Sequence, residues 1–352
     1  MSTHVTDVSD GPDGPDGPDV PDVPDVPVVA ALAGMAPPAR RRRRLRYSQL
    51  QRSDKVWLGF MVGVPTAFHI MFVWLPALGT IVLSFTKWDG IKIGSWTDVG
   101  FKNYWSIFTI FDSKFFPALF NNLILLVFLG ICSLVGVLLA YLLDKGVKGS
   151  RLYQSIYYFP VVLSLAVVGF IWKSVMFSQS QGLLNLGRDK PIDFVGDSHK
   201  VFEFNLPGLD TPLGLTRNFA ALLIAMAWRH IGYIMVLYLA GLKSVDPTLR
   251  EAAAIDGCTE WQTFRRVVLP VMKPINVVVL VISVIEALRA FDIVYAVNHG
   301  RNGLELLSVL VTDNIIGEAS RIGFGSAIAV VMLCISVGFI VTYLTQELRE
   351  RP

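Results

Sequence analysis

Three cysteines, five histidines and a charged fraction of only 17% leave this 352-residue sequence poor in the groups that do covalent chemistry. Cys132, Cys258 and Cys334 stand singly, which argues against a disulfide framework and a cysteine metal site. The histidines form no H-E-x-x-H pair and no G-x-S-x-G elbow occurs, so neither zinc-protease nor serine-hydrolase chemistry is expected. No G-x-x-x-x-G-K-[ST] loop is present, and the chain is not expected to bind or split ATP by that route. It is read as a non-enzyme with no cofactor or metal of its own.

Apolar residues are what the sequence has in excess. They make up 53% of it, more than an ordinary soluble domain carries. They fall in blocks of about 20 or more, the length a helix needs to cross a bilayer. The pattern predicts an all-α polytopic membrane protein with six transmembrane helices near 56–85, 119–143, 153–177, 219–242, 275–297 and 327–344. Pro65, Pro76 and Pro160 predict kinks supported by neighbouring helices. Residues 1–39, with repeated Gly-Pro-Asp and Val-Pro-Asp triplets, have almost nothing to bury and read as a disordered acidic tail.

Residues 40–55 hold Arg40 to Arg44 and Arg46 just ahead of the first span. That position favours a positive-inside anchor over nucleic-acid binding or an export signal. The apolar membrane domain is 56–346, followed by a short tail at 347–352. An N-terminus inside and six crossings give an N-in/C-in topology, with the 145–151 loop and the 244–273 interruption on the cytoplasmic face. Trp88, Trp96, Phe101, Tyr104 and Trp105 suit an outer interfacial belt. The outer segment 178–217 is either a solvated connector or a segment that folds over the outer mouth or meets an external partner.

The polar interruption at 246–270 reads as two short helices. Asp246 can cap a helix that starts at Pro247. Gly257 supplies a left-handed stop, and Thr259 with Gln262 forms a capping box for the second helix. Pro270 bars simple continuation. Inside the spans, Arg229, His230, Glu286, Arg289 and Asp292 are expensive in hydrocarbon and should face the bundle interior, a cavity or a partner. Glu286 and Arg289 stand three apart, close enough to neutralise each other. Alternatively, Glu286 and Arg289 line a polar path with Arg229 and His230.

Glu251-Ala252-Ala253, then Asp256-Gly257, then Leu269-Pro270, resembles the EAA loop of ABC-importer permeases. The flanking LAGLKSVDPTLR and Trp261, Gln262, Phe264 and Arg265 resemble the carbohydrate-uptake, maltose-permease-like branch. Gly100 to Tyr104, the paired Asn121 and Asn122, and Phe291 to Tyr295 add supporting matches across about 55–350. The resemblance implies that the loop docks on a cytoplasmic ABC ATPase dimer, which would hold the ATP and magnesium. Glu251 would pair with a basic residue of that ATPase, Gly257 would give the turn, and Ala252, Ala253 and Ile255 would form a small apolar docking face. It also implies a second permease subunit, an extracellular or periplasmic sugar-binding protein, and a bacterial cell membrane location. No nucleic-acid partner is expected.

By position relative to the EAA loop, Tyr233 and Ser283, with Trp228 beside them, match residue types used for sugar contact in that family. The sugar class implied is an oligosaccharide, α-glucosides being one candidate. Arg229, His230 and Glu286 are more charged than the family's neutral site residues, and the 298–303 run NHGRNG departs from its usual pattern. Two other readings stay open from the residues alone. One is a proton-coupled secondary transporter using Glu286, Arg289 and Asp292; the other is a membrane scaffold that docks a partner.

Overall fold

The computed structural model describes residues 51–349 apart from 92, 93, 181, 206, 208, 210, 318 and 319. The predicted acidic tail, the basic segment up to residue 50 and the last three residues lie outside that set. Two compact units divide the chain between Thr66 and Ala67. The described part of the first lies almost wholly in helix α1, Arg52–His69, which buries none of its residues.

The second unit is helical with two small hairpins. After a π turn at Ile70–Trp74 come α2 (Leu75–Leu83), β1 (Thr86–Lys87), β2 (Thr97–Asp98), α3 (Lys102–Thr109) and α4 (Asp112–Asp144). Next are α5 (Ser150–Val162), α6 (Leu165–Ile171), β3 (Lys200–Phe204), β4 (Leu213–Thr216) and α7 (Arg217–Ser244). The 246–270 region holds α8 (Pro247–Ile255), α9 (Glu260–Thr263), a π segment Phe264–Val268 and the start of α10 (Leu269–Val271). The chain closes with α11 (Lys273–Leu288), α12 (Phe291–Asn298), α13 (Leu307–Ile315) and α14 (Ile322–Arg349). Both sheets are antiparallel pairs, β1 with β2 and β3 with β4.

Among the described residues four helices are long and apolar enough to cross a membrane: Arg52–Leu83, Ser113–Asp144, Arg217–Ser244 and Ile322–Tyr343. Two bent pairs bring the number to six if each is one span. They are Ser150–Val162 with Leu165–Met176, bent by 101°, and Glu260–Val271 with Lys273–Asn298, bent by 76°. The third predicted span is thus broken, and not at Pro160. Leu163 is extended, and the Ser164 side chain accepts from the Val167 N–H to cap a new helix. The fifth is interrupted at Arg289 and Ala290, between α11 and α12. Helix α13 follows as an element the apolar pattern did not separate.

In lipid there is little hydrophobic drive between helices, so close packing and buried polar bonds must hold them together. Gly232 lets α7 meet the Tyr157 carbonyl of α5 at a distance no Cβ would tolerate. A Cβ at Gly136 of α4 would lie 2.9 Å from the Ile234 Cβ of α7. The central core joins Leu125 and Leu129 of α4 to Phe219, Leu222 and Met226 of α7, and to Ile293 and Val294 of α12. A second core joins α4 and α7 to Phe264 and Val268 of the π segment, and a third packs α3 and α4 against α13 and α14.

Several residues that carried the family resemblance turn out to hold joints. Asn103 donates to the carbonyls of Ser84 (2.8 Å) and Thr86 (2.9 Å), and Tyr104 shares a 2.7 Å bond with Ser84. Asn121 donates to the carbonyls of Gly303 (3.1 Å) and Glu305 (2.9 Å). Asn122 donates to the Ala287 carbonyl (2.6 Å) and accepts from the Leu307 N–H (2.9 Å). Backbone polar groups inside a membrane domain must be satisfied within the protein, and these amides do it where helices are interrupted.

Candidate functional site

The 246–270 region folds as its capping signals predict. The Asp246 carboxylate accepts from the Thr248 N–H at 3.0 Å, and Pro247 occupies the first helical position. That backbone bond, the leading cause, holds the Asp246 carboxyl below its usual range. Gly257 adopts φ +76°, the left-handed conformation that a side chain would penalise. Thr259 and Gln262 form the reciprocal capping box. Pro270, by contrast, does not end the helix: the π segment leads into α10, and the turn comes at Met272.

Glu251, Ala252, Ala254, Ile255 and Asp256 are exposed, and Ile255 is 87% exposed. The expected docking face therefore needs one correction. Ala253 is buried at 5% exposure and packs inward, so the outward apolar face is Ala252, Ala254 and Ile255. Leu269 is half-buried and Pro270 exposed. Ion pairs fasten the region to the end of α4: Arg250 to Asp144 at 2.7 Å, and Glu260 to Lys145. The bond to Glu260 is the first cause raising the Lys145 pKa. A cavity of about 310 Å³ lies between the two, lined by Tyr141, Asp144, Arg250, Cys258 and Phe264 among others.

The intramembrane charges converge on Glu286 of α11, but not through Arg289. Glu286 takes Arg229 Nη1 on Oε1 at 2.8 Å and His230 Nδ1 on Oε2 at 2.5 Å, both from α7. Arg289, predicted to neutralise it, is exposed at the C-cap of α11 and forms no ion pair among the described residues. The physical reason is helix termination. α11 ends at Leu288, so Arg289 leaves the turn that would have placed it over Glu286. Asp292 is also exposed.

His230 is 1% exposed, and its Nε2 shares a 3.0 Å bond with Ser133 Oγ of α4. Ser133 also meets Ser283 Oγ at 3.3 Å, and Ser283 donates to the Val279 carbonyl. The cluster thus joins α4, α7 and α11. Trp228 is 37% exposed and sits edge-on to Trp172, with ring centres 6.0 Å apart. Tyr233 is half-buried against the second core. Ser133 escaped the sequence reading because a lone serine in an apolar run has no charge to mark it. Asp144 and Arg250, 106 residues apart, left no local signal either.

The fold resembles solved transporter chains. A chain from a bacterial ABC transporter that imports the acidic polysaccharide alginate matches with a TM-score of 0.65 at 20% identity, covering 85% of this chain and 98% of that one. In sequence, the xylose/arabinose import permease protein of Haloferax volcanii is 31% identical over 322 residues, covering 87% of this chain and 92% of the relative. The multiple sugar-binding transport system permease protein of Streptococcus mutans is 30% identical over 287 residues, covering 80% and 92%. Residues 132–350, which take in the charge cluster and the whole 246–270 region, match a single family. The chain belongs to the binding-protein-dependent transport system inner membrane components.

Proposed function

We propose that this chain is the permease subunit of an ATP-driven sugar importer, and that the 246–270 region is its docking element for a cytoplasmic ATPase dimer. The observation that carries the docking role is the exposed apolar face of α8. A nine-residue helix with Ile255 87% exposed, ahead of a left-handed glycine, is poorly suited to bulk water and well suited to a groove. Glu251 stands on the same exposed helix and supplies the charge for a basic residue of that groove. The topology that goes with this reading is N-in/C-in with six spans, each bent pair counted as one. A second permease would complete the path, and a sugar-binding protein would deliver the cargo from outside.

The relatives named for sugars support a sugar cargo; the preference for an oligosaccharide, with α-glucosides a candidate, comes from the sequence resemblance. Trp228, Tyr233 and Arg229 then lie along the path, where an aromatic face and a few polar groups suit a sugar, with Ser283 buried behind them. Glu286 and His230 hold it in shape from behind. ATP closing the ATPase dimer would shift the 246–270 element and bias the spans between inward-open and outward-open states. The test is uptake of labelled sugar into vesicles. Uptake should stop with a catalytically dead ATPase, and Glu251→Lys should abolish it while the subunit stays in the membrane. Uptake that survives the dead ATPase and collapses with an uncoupler would instead indicate proton coupling.

A further inference from the structure

The chain between α2 and α3 has no part in the docking or transport roles, yet it builds a cavity against the start of α14. Lys87 lies just past the end of α2, Arg321 comes directly before α14, and Lys102 opens α3. Helices α2 and α14 belong to two of the membrane-crossing helices, Arg52–Leu83 and Ile322–Tyr343. All three cations therefore stand where apolar spans give way to polar chain. They line one cavity of about 440 Å³, whose wall carries a single carboxylate, Asp89. Three cations against one carboxylate leave an excess of two positive charges. Asp89 is itself engaged, accepting from the Ile91 N–H at 3.0 Å.

The wall is held rigidly from behind. Gly323 lets α14 meet the Thr86 carbonyl where a Cβ would clash, and its N–H donates to the Trp88 carbonyl at 3.3 Å. Asn103, next to Lys102, bonds the Ser84 and Thr86 carbonyls. The Arg321 guanidinium lies 5.3 Å from the ring centre of Phe324 and 6.0 Å from that of Phe111. Stacking of this kind orients the planar fork without using its N–H donors. Lys87, Lys102 and Arg321 form no ion pair among the described residues. Beside these charges the lining turns apolar with Val99, Phe111 and Ile110, and Ile110 is 78% exposed. A ligand that fits both halves is anionic at one end and apolar at the other.

We infer that this cavity binds the phosphodiester headgroup of an anionic phospholipid. Arg321 takes the phosphate through its two-pronged fork, Lys87 and Lys102 supply flanking charge, and the acyl chains start at Ile110 and enter the bilayer. A zwitterionic headgroup brings its own cation and gains less from the excess charge. A free phosphate ester offers the same anion but nothing to cover Ile110. On the N-in/C-in topology the cavity opens to the outer leaflet. The assignment stands on the cavity alone and does not depend on the docking role or on the cargo.

The test is native mass spectrometry of the full-length chain, purified in delipidating detergent with its partner subunits. The probes are phosphatidylglycerol, phosphatidylcholine with the same acyl chains, and free glycerol phosphate. Phosphatidylglycerol should bind about tenfold more tightly than phosphatidylcholine. Arg321→Gln and Lys87→Gln/Lys102→Gln should each weaken phosphatidylglycerol about tenfold and leave phosphatidylcholine unchanged. Arg188→Gln/Lys190→Gln, which removes two cations from another loop, should change neither. Equal affinity for the two lipids, or wild-type affinity in Arg321→Gln, overturns the proposal. Glycerol phosphate that displaces the lipid at equal concentration would assign the cavity to a free phosphate ester and overturn the lipid. Binding of none of the three would leave the cations to a protein partner and also overturn it. A second measurement needs no variant: phosphatidylglycerol with a photoactivatable diazirine on its headgroup should cross-link to the peptides holding Lys87, Lys102 and Arg321. Cross-links confined to other peptides sink the assignment.

Discussion

Glu286 is bonded to two partners with two carboxylate oxygens, which decides what its removal does. In Glu286→Gln the Arg229 guanidinium stays partly buried with no counter-charge, and breaking such a pair costs about 3 kcal/mol. Removing both charges together leaves nothing to compensate. The thermal midpoint of the detergent-solubilised protein should therefore fall in Glu286→Gln and recover by more than half in Arg229→Gln/Glu286→Gln. An unchanged midpoint in Glu286→Gln, with an altered preference across a sugar panel, would make Glu286 a substrate ligand. At this scale the sequence showed that intramembrane charges needed partners, because charge in hydrocarbon always does. Of its two readings, the ion pair with Arg289 does not form, whereas Glu286 does meet Arg229 and His230. Arg289 is near Glu286 in sequence, whereas Arg229 is 57 residues away and reaches it only because α7 and α11 pack together.

At the scale of elements, whatever depends on neighbouring residues was legible. The Asp246 cap, the Pro247 start, the Gly257 stop and the Thr259–Gln262 box could all be read, since each is closed within a few residues. The break at Leu163–Ser164, the π segment 264–268 and helix α13 could not, because tertiary contacts on the interrupted backbone select them. The Asp246 cap gives a pH prediction. Its carboxyl titrates lower in the folded element than in the unfolded chain, so the cap is fully present above the ordinary aspartate range and lost as pH falls through the lowered value. The protection factor of the Thr248 amide, with the intrinsic pH dependence of exchange divided out, should fall on acidification in the unaltered protein. In Asp246→Asn, which caps without titrating, that acid dependence should vanish. Gly257→Val forces a branched side chain into φ +76° and should destabilise the 247–263 stretch by about 1–2 kcal/mol, seen as faster exchange confined to that stretch.

Taken as a whole molecule, the orientation of the chain rests on which side of the membrane carries the 246–270 element, and the native cysteines provide a reporter. Cys132 is buried, and Cys334 lies inside the apolar helix α14, where a membrane-impermeant reagent does not reach. Cys258 is half-exposed beside Gly257, at the rim of the cavity under the 246–270 element. A membrane-impermeant maleimide should thus label one thiol, and only from one face, since the thiolate must meet the reagent in water. In inside-out vesicles Cys258 should be modified; in right-side-out vesicles it should not; and a Cys258→Ser chain should stay unlabelled in both. With the ATPase docked, the exposed face of α8 is covered, and the labelling rate in inside-out vesicles should fall by several-fold. Modification of Cys258 from the outer face would reverse the topology and place the element where no cytoplasmic ATPase can reach it. Modification at an equal rate with and without the ATPase would leave the orientation standing but move the docking surface away from α8.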